Sequence, residues 1–177
     1  MYYPFIDESS TDPQDMTNIN TLSRYSDGDG VLMIAVTQGA RGGGQFFTVT
    51  YTNSNGISGR VTPPMYMNSV ATNGTIVTSS TASAGNVTPF ITLQGGDTGV
   101  RSIEQVTMLG ADVGLFALVL VKPLATTVIR EITAPVEKDY FMEAGLIPEI
   151  KNNAYLNWIC LPSGNLSGAV ITGDLKV

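Results

Sequence analysis

The most hydrophobic stretch of the chain is the run of residues 113–121, which contains one glycine and no charged residue. It is too short to cross a bilayer as a helix, which takes roughly 20 apolar residues. Its β-branched and aromatic residues favour a strand. Because such a strand is apolar on both faces, we expect it to lie centrally between two layers or at a tight subunit contact.

Shorter strand patterns, separated by turn residues, lie on both sides of this run. Residues 45–52 alternate, with Phe47, Val49 and Tyr51 on one face and threonines on the other, which is typical of a half-buried strand. The Asn-Ser-Asn-Gly sequence at 53–56 then predicts a hairpin, because Asn-Gly tolerates the positive φ angles of a tight turn. Further strands are predicted at 31–37, 57–62, 75–78, 89–93, 100–109, 126–133 and 154–161.

This succession of strands predicts an all-β fold, a single-domain antiparallel β-sandwich that is jelly-roll-like. No segment shows the amphipathic pattern of a helix of three turns. A long Ser/Thr-rich excursion at 65–88 and an acidic connector at 134–149 suit a jelly roll better than a regular barrel. We expect residues 26–177 to form the sandwich domain.

Residues 1–25 are predicted to form an extended N-terminal arm. Pro4 and Pro13 disfavour a continuous helix or a central strand there. Three aromatic residues, Tyr2, Tyr3 and Phe5, need an apolar partner on such an arm. They are therefore candidate interface residues, with the chain's own domain and a neighbouring subunit as equal alternatives.

The charge pattern narrows the possible partners. Only 14% of residues are charged, the net charge is −6, and the nine basic residues are scattered. Without a basic stripe, nucleic-acid binding and binding to an anionic membrane surface are not expected. A polar but sparsely charged surface suits a protein that meets other protein, and also suits secreted β-rich domains. No signal segment or transmembrane span is evident, so we expect synthesis in a cytoplasm.

Little in the sequence indicates catalysis or metal binding. There is no histidine, the commonest general base and metal ligand. Asp27 and Asp29 begin like a calcium loop, but Val31 and Gln38 stand where that loop requires ligands. The single cysteine, Cys160, is predicted to be buried. Seven acidic residues are read as solvated surface charges: Asp97, Glu104, Asp112, Glu131, Glu137, Asp139 and Glu143. We therefore predict no enzymatic activity, no cofactor and no metal site.

Three tracts resemble the small structural proteins of tailed-bacteriophage virions. They are QGGDTGVRSIEQVTMLGADVGLFALVLVKPLA, TAPVEKDYF and AYLNWICLPSGNLSG, which together lie within residues 94–168. The resemblance implies a head decoration or cement protein, often a β-sandwich trimer, that stabilises the capsid by non-covalent contacts. The expected partners are further copies of the chain and the major capsid protein or other virion proteins, and the expected location is the virion.

Two other functions remain open. One is a tail, neck or fibre-associated virion component. The other, of a different class, is a carbohydrate-binding β-sandwich module, for which Tyr66, Tyr140 and Trp158 could supply aromatic platforms. The apolar surroundings of Trp158 favour a core position instead.

Overall fold

The computed structural model describes residues 1–17, 22–70, 72–77, 88–131, 134–139, 142 and 148–161, with Tyr2 described by its backbone alone. The protein is all-β, with essentially no helix and 37% strand, and its two antiparallel sheets pack against each other. Within the described residues the strands are β1 (Tyr2–Asp7), β2 (Gln14–Asp15), β3 (Leu32–Gly39), β4 (Phe46–Asn53), β5 (Arg60–Val61), β6 (Met65–Tyr66), β7 (Ile76–Val77), β8 (Val100–Met108) and β9 (Leu115–Val121).

In both sheets, strands from early in the sequence pair with strands from late in the described part. Sheet A has the order β1-β9-β3-β7, and sheet B has the order β2-β8-β4-β5, with β6 also paired to β4. The first described strand, β1, thus pairs with the last, β9. In the same way β2 pairs with β8, β3 with β7 and β4 with β6. Nested pairing of this kind also occurs in jelly rolls. The predicted all-β sandwich is confirmed.

Strand β9 lies in the middle of sheet A, between β1 and β3, as its apolar sequence predicts. Phe116, Leu118 and Leu120 point into the core between the sheets. The strand begins two residues later than the hydrophobic run. Gly114, at φ +130°, precedes it, and its carbonyl accepts a hydrogen bond from the Glu8 amide at 3.2 Å.

The predicted hairpin follows β4. The Gly56 amide donates to the Asn53 carbonyl at 3.0 Å, and Gly56 has the positive φ of +77° that an L side chain rarely adopts. The returning strand, β5, has only two residues paired to β4, fewer than the six predicted. Residues 89–93, also predicted as a strand, form none, although the Ile91 amide donates to the Met33 carbonyl at 2.8 Å.

The predicted N-terminal arm belongs to the sandwich. Strand β1 pairs with β9 and β2 pairs with β8, so residues 2–15 contribute to both sheets. Pro4 is accommodated because β1 is an edge strand, where one amide need not join the ladder. A bulge between Tyr3 and Ile6 places Phe5 at φ +61° and returns Ile6 to the core.

The last described strand ends at Val121. The strands predicted at 126–133 and 154–161 are wrong for the residues described, because 126–131 and 154–161 are irregular. Their alternation of apolar residues is that of a strand, but a strand also needs a neighbour to pair with. Cys160 is exposed, so its predicted burial is wrong as well. The strands among the described residues therefore lie between residues 2 and 121, and those of residues 2–15 belong to a segment predicted as an arm.

Candidate interface

Sheet B has a polar outer face. Phe47, Val49 and Tyr51 of β4 are buried in the core, and the residues between them point outward. Cross-strand partners point to the same side of a sheet, and the register of β4 with β8 places polar side chains opposite each other. The outer face on these two strands includes Thr48, Thr50, Thr52, Ser102, Gln105 and Thr107, together with Glu104, which accepts a hydrogen bond from Thr52 Oγ1 at 2.7 Å. This confirms the predicted threonine face of β4.

In sheet A, in contrast, strands β3, β7 and β9 carry apolar residues on both faces, whereas β1 places Asp7 opposite Leu115. Its outer-face residues on β3, β7 and β9 are Leu32, Ile34, Val36, Ile76, Leu115, Ala117, Val119 and Val121. None of them belongs to the core cluster between the sheets. Ile34 and Ala117, in the middle of the sheet, are buried, whereas Leu115 is 36% exposed and the others are half-buried. We refer to these eight residues as the apolar face.

A second apolar surface lies at the other end of the sequence. Residues 148–161, the C-terminal segment, follow an irregular path. Tyr155 is 89% exposed and Trp158 is 71% exposed, and Leu156 and Leu161 are also exposed. Large apolar side chains with this degree of exposure are uncommon in clusters on the surface of a monomeric protein.

The C-terminal segment is attached to the sandwich beside the end of β9. The Tyr25 hydroxyl donates to the Glu149 carbonyl at 2.6 Å, and Arg24 Nε donates to the Asn152 carbonyl at 3.1 Å. Lys122, the residue after β9, places its Nζ 5.6 Å from the centre of the Tyr25 ring. The exposed part of the segment therefore starts at one end of the central strand of sheet A.

The three N-terminal interface candidates have different surroundings. Tyr3 is fully buried, and its hydroxyl accepts a hydrogen bond from the Ile103 amide at 3.1 Å. Of the two alternatives for its apolar partner, Tyr3 therefore takes the first, the chain's own domain. Phe5 is 70% exposed at the bulge of β1, with its amide donating to Gln38 Oε1 at 2.9 Å. Of Tyr2, only the backbone is described.

Two buried charges that the sequence did not single out meet at one end of the sandwich. Glu8 and Arg41 are nearly inaccessible to solvent, with Arg41 Nε 3.4 Å from Glu8 Oε1. Arg41 also donates to Thr37 Oγ1 at 2.6 Å. No described residue donates a hydrogen bond to the carboxylate of Glu8. Burial raises the pKa of Glu8 to about 7, against the opposing effect of Arg41 and with added repulsion from Asp112 and Asp7.

A carboxyl group that titrates near neutral pH is a feature of many catalytic sites. Glu8, however, is closed to solvent and its surroundings connect backbone segments. Its amide bonds to the Gly114 carbonyl, and its carbonyl accepts from the Asp112 amide at 2.8 Å. The Asp112 carboxylate in turn accepts from the Gly43 amide at 2.6 Å. The cluster thus joins the end of β1 to the glycine-rich loop and to the turn before β9.

Asp97, predicted as a surface charge, is instead held by three side chains. It accepts hydrogen bonds from the Tyr51 hydroxyl at 2.6 Å, from Asn53 Nδ2 at 2.8 Å and from Arg60 Nε at 2.9 Å. The Arg60 guanidinium and the other donors lower the pKa of Asp97 to about 2. These contacts fix the 94–97 turn against sheet B, because the Gln94 amide also donates to the Tyr51 hydroxyl at 2.9 Å.

The residues considered for sugar binding are not assembled into one described site. Trp158 is exposed, so the expected core position is wrong, while Tyr66 is half-buried with its ring 5.4 Å from that of Phe46. Tyr140 lies outside the described residues. Across the described part of the chain, no group of three or more potential ligand residues is placed to hold a metal ion. No helix in that part is long and apolar enough to cross a membrane.

Comparisons with known proteins return no matching family model, no matching curated protein and no matching solved structure.

Proposed function

We propose that this protein is a virion structural protein that works by non-covalent contact, specifically a decoration or cement protein on a bacteriophage head. The observation that carries the proposal is the exposed apolar surface of the C-terminal segment, in which Tyr155 is 89% and Trp158 is 71% exposed. A protein whose task is to be covered by other subunits needs such a surface, whereas a monomer in solution rarely exposes one.

The fold and the chemistry support the same class of function. Jelly-roll sandwiches occur in viral capsid proteins as well as in lectins, so the fold alone does not decide between these roles. The buried carboxylates, Glu8 and Asp97, are engaged in holding loops and turns of the sandwich. The resemblance of residues 94–168 to small phage structural proteins adds the virion as the location and the capsid protein as a partner.

The decisive experiment is a copy count on purified particles. Quantitative mass spectrometry should find on the order of hundreds of copies per particle if the protein decorates the head lattice. A count near three, six or twelve would place it in the tail or neck instead, which is the alternative within the same class. Absence from particles would overturn the virion proposal.

A second candidate, a carbohydrate-binding module, is favoured by the exposure of Trp158 and Tyr155. Aromatic rings open to solvent can stack on the apolar faces of sugars. A glycan array is the test, with Trp158→Ala as the matched variant. Specific binding that Trp158→Ala abolishes would favour the module, whereas no binding to any glycan would leave these rings to a protein contact.

A further inference from the structure

We infer that the corner of the sandwich where β9 begins binds an apolar pocket with a basic rim on a different protein. This inference rests on the proposed function, under which that protein is the one that forms the capsid shell. Three exposed side chains, Phe5, Val113 and Leu115, define the surface, which we call the corner surface. The conformation of Phe5, its neighbours and the surrounding charge carry the inference.

The conformation of Phe5 is not explained by the fold. Phe5 has a φ of +61°, which is strained for a bulky residue, whereas glycine or asparagine adopts it readily. Its ring is 70% exposed and lies outside the core that Tyr3 and Ile6 enter. A phenylalanine at this position therefore destabilises the folded subunit through strain and gains nothing from burial. Strained residues of this kind cluster at functional sites, so we assign the ring to a contact outside the subunit.

The exposed position of Phe5 is fixed by its surroundings. The Phe5 amide donates to Gln38 Oε1 at 2.9 Å. Gln38 belongs to β3, and β9 lies between β3 and β1, so the Gln38 side chain crosses β9 to reach Phe5. This hydrogen bond and the bulge between Tyr3 and Ile6 hold the backbone in place. Because the ring is presented by an ordered backbone, little conformational entropy is lost when a partner binds it.

Two further apolar side chains lie at the same corner. Leu115 is 36% exposed and stands opposite Asp7, two residues along β1 from Phe5. Val113, which comes shortly before β9, is 68% exposed. Aromatic residues with apolar neighbours supply the anchors of many protein interfaces. The corner surface therefore fits an apolar pocket.

An acidic rim borders the corner surface. Asp7, Asp12 and Asp112 lie in its two bordering segments, 5–14 and 109–115, which contain no basic residue. The side chain of Asp12 is exposed, and Asp7 and Asp112 are partly accessible. Hydrogen bonds from the serine two residues further on lower the pKa of Asp7, which is therefore ionised at neutral pH.

The rim decides between a second copy and a different protein. Arg41, the basic residue beside this corner, is 4% exposed and pairs with Glu8, so it does not offset the rim. Two copies joined through the same corner would bring their acidic rims together, which like-charge repulsion disfavours. Lysine or arginine around an apolar pocket of another protein is the complementary surface.

The substitution Phe5→Asn separates binding from folding. Asparagine accepts a positive φ, so the melting temperature should equal or exceed that of the wild type. Without the aromatic anchor, the dissociation constant for particles stripped of this protein should rise by at least about tenfold. Phe5→Tyr, which keeps the ring, should retain most of the binding. Cosedimentation with stripped particles measures the dissociation constant.

The matched control is Ile57→Asn, because Ile57 is 54% exposed on the hairpin that follows β4, whereas the corner adjoins the start of β4. This variant should bind like the wild type. Binding of the wild type should weaken as the salt concentration rises, because the rim is charged. Binding that does not respond to salt would overturn the basic rim and with it the inference.

The remaining outcomes distinguish this inference from the proposed function. If Phe5→Asn binds stripped particles as tightly as the wild type, the corner surface is not the contact, and the proposed function stands. If light scattering shows a wild-type oligomer that Phe5→Asn converts to a monomer, a second copy occupies the corner and the inference is overturned. A wild-type protein that does not bind the particles overturns both.

Discussion

At the residue scale, the most unusual feature is a charged pair, Glu8 and Arg41, that is closed to solvent. Glu8 and Arg41 are separated by 33 positions in the chain and carry no local pattern that marks them as partners. A sequence shows that a charge is present, but burial depends on which loops the fold brings together. The same reason explains Asp97, whose three donors come from β4 and β5.

The raised pKa of Glu8 gives a defined dependence of stability on pH. Its ordinary value is 4.5 and its folded value is about 7, so between these pH values the folded state holds a proton that the unfolded state has lost. The free energy of unfolding should therefore fall as pH rises through this window, by roughly 3 kcal/mol at most. Urea titrations at a series of pH values measure the slope.

Glu8→Gln should remove this slope, because the amide is neutral at every pH in the window. Glu131→Gln, which changes the net charge equally at an exposed position, should retain it. A wild-type slope in Glu8→Gln would show that the buried carboxyl does not titrate there. Asp97 cannot mimic the effect, since its lowered pKa of about 2 confines its contribution to acid denaturation.

At the scale of elements, the hydrophobic pattern predicted the strands that turn one of their two faces toward the core. Strands β3, β4, β8 and β9 agree with the predicted segments to within about two residues at each end. The pattern failed where pairing depends on distant partners. Strand β1 contains a proline and a bulge yet forms because β9 offers it an edge. Residues 154–161 have a strand-like pattern and form none.

Adjacent residues of β9 should differ in their tolerance of a charge. Leu118 is fully buried in the core, and Val119 points outward on the apolar face. Leu118→Asp should unfold the protein, because an unpaired buried carboxylate costs several kcal/mol against a total stability of about 5–15 kcal/mol. Val119→Asp should remain folded.

Circular dichroism on both variants checks this expectation. The control is Thr50→Asp on the polar face of sheet B, which should leave folding intact. If Val119→Asp unfolds as Leu118→Asp does, the two faces of β9 are equally intolerant of a charge. If Leu118→Asp unfolds cooperatively at the wild-type temperature, β9 is not the core strand.

At the scale of the whole molecule, residues 1–15 and residues 148–161 have opposite relations to the sandwich. The sequence alone suggested a free N-terminal arm and a C-terminal strand. The structure places Tyr3 and Ile6 in the core and leaves Tyr155 and Trp158 exposed. No local sequence pattern distinguishes the two cases, because both segments combine aromatic with polar residues. Only the strand pairing of the complete fold determines which segment is buried.

Changes at the two ends should therefore differ in their effect. Deleting residues 1–15 removes β1, β2 and two core side chains, and should prevent cooperative folding. Replacing Tyr155 and Trp158 together by serine should change stability by at most about 0.5 kcal/mol for each residue, as at most surface sites. Melting temperatures measure both effects. A deletion that melts like the wild type would restore the arm as a separate element.

The pairing of the first strand with the last also determines when the protein can fold. Tyr3 lies opposite Leu118, so sheet A cannot close until Leu118 has left the ribosome. Contacts so distant in sequence carry a large loop-closure entropy, and all-β proteins of this kind fold in milliseconds to seconds. Until then Tyr3 and Ile6 have no partner strand. We therefore expect slow refolding from denaturant, and aggregation of nascent chains that end before residue 115.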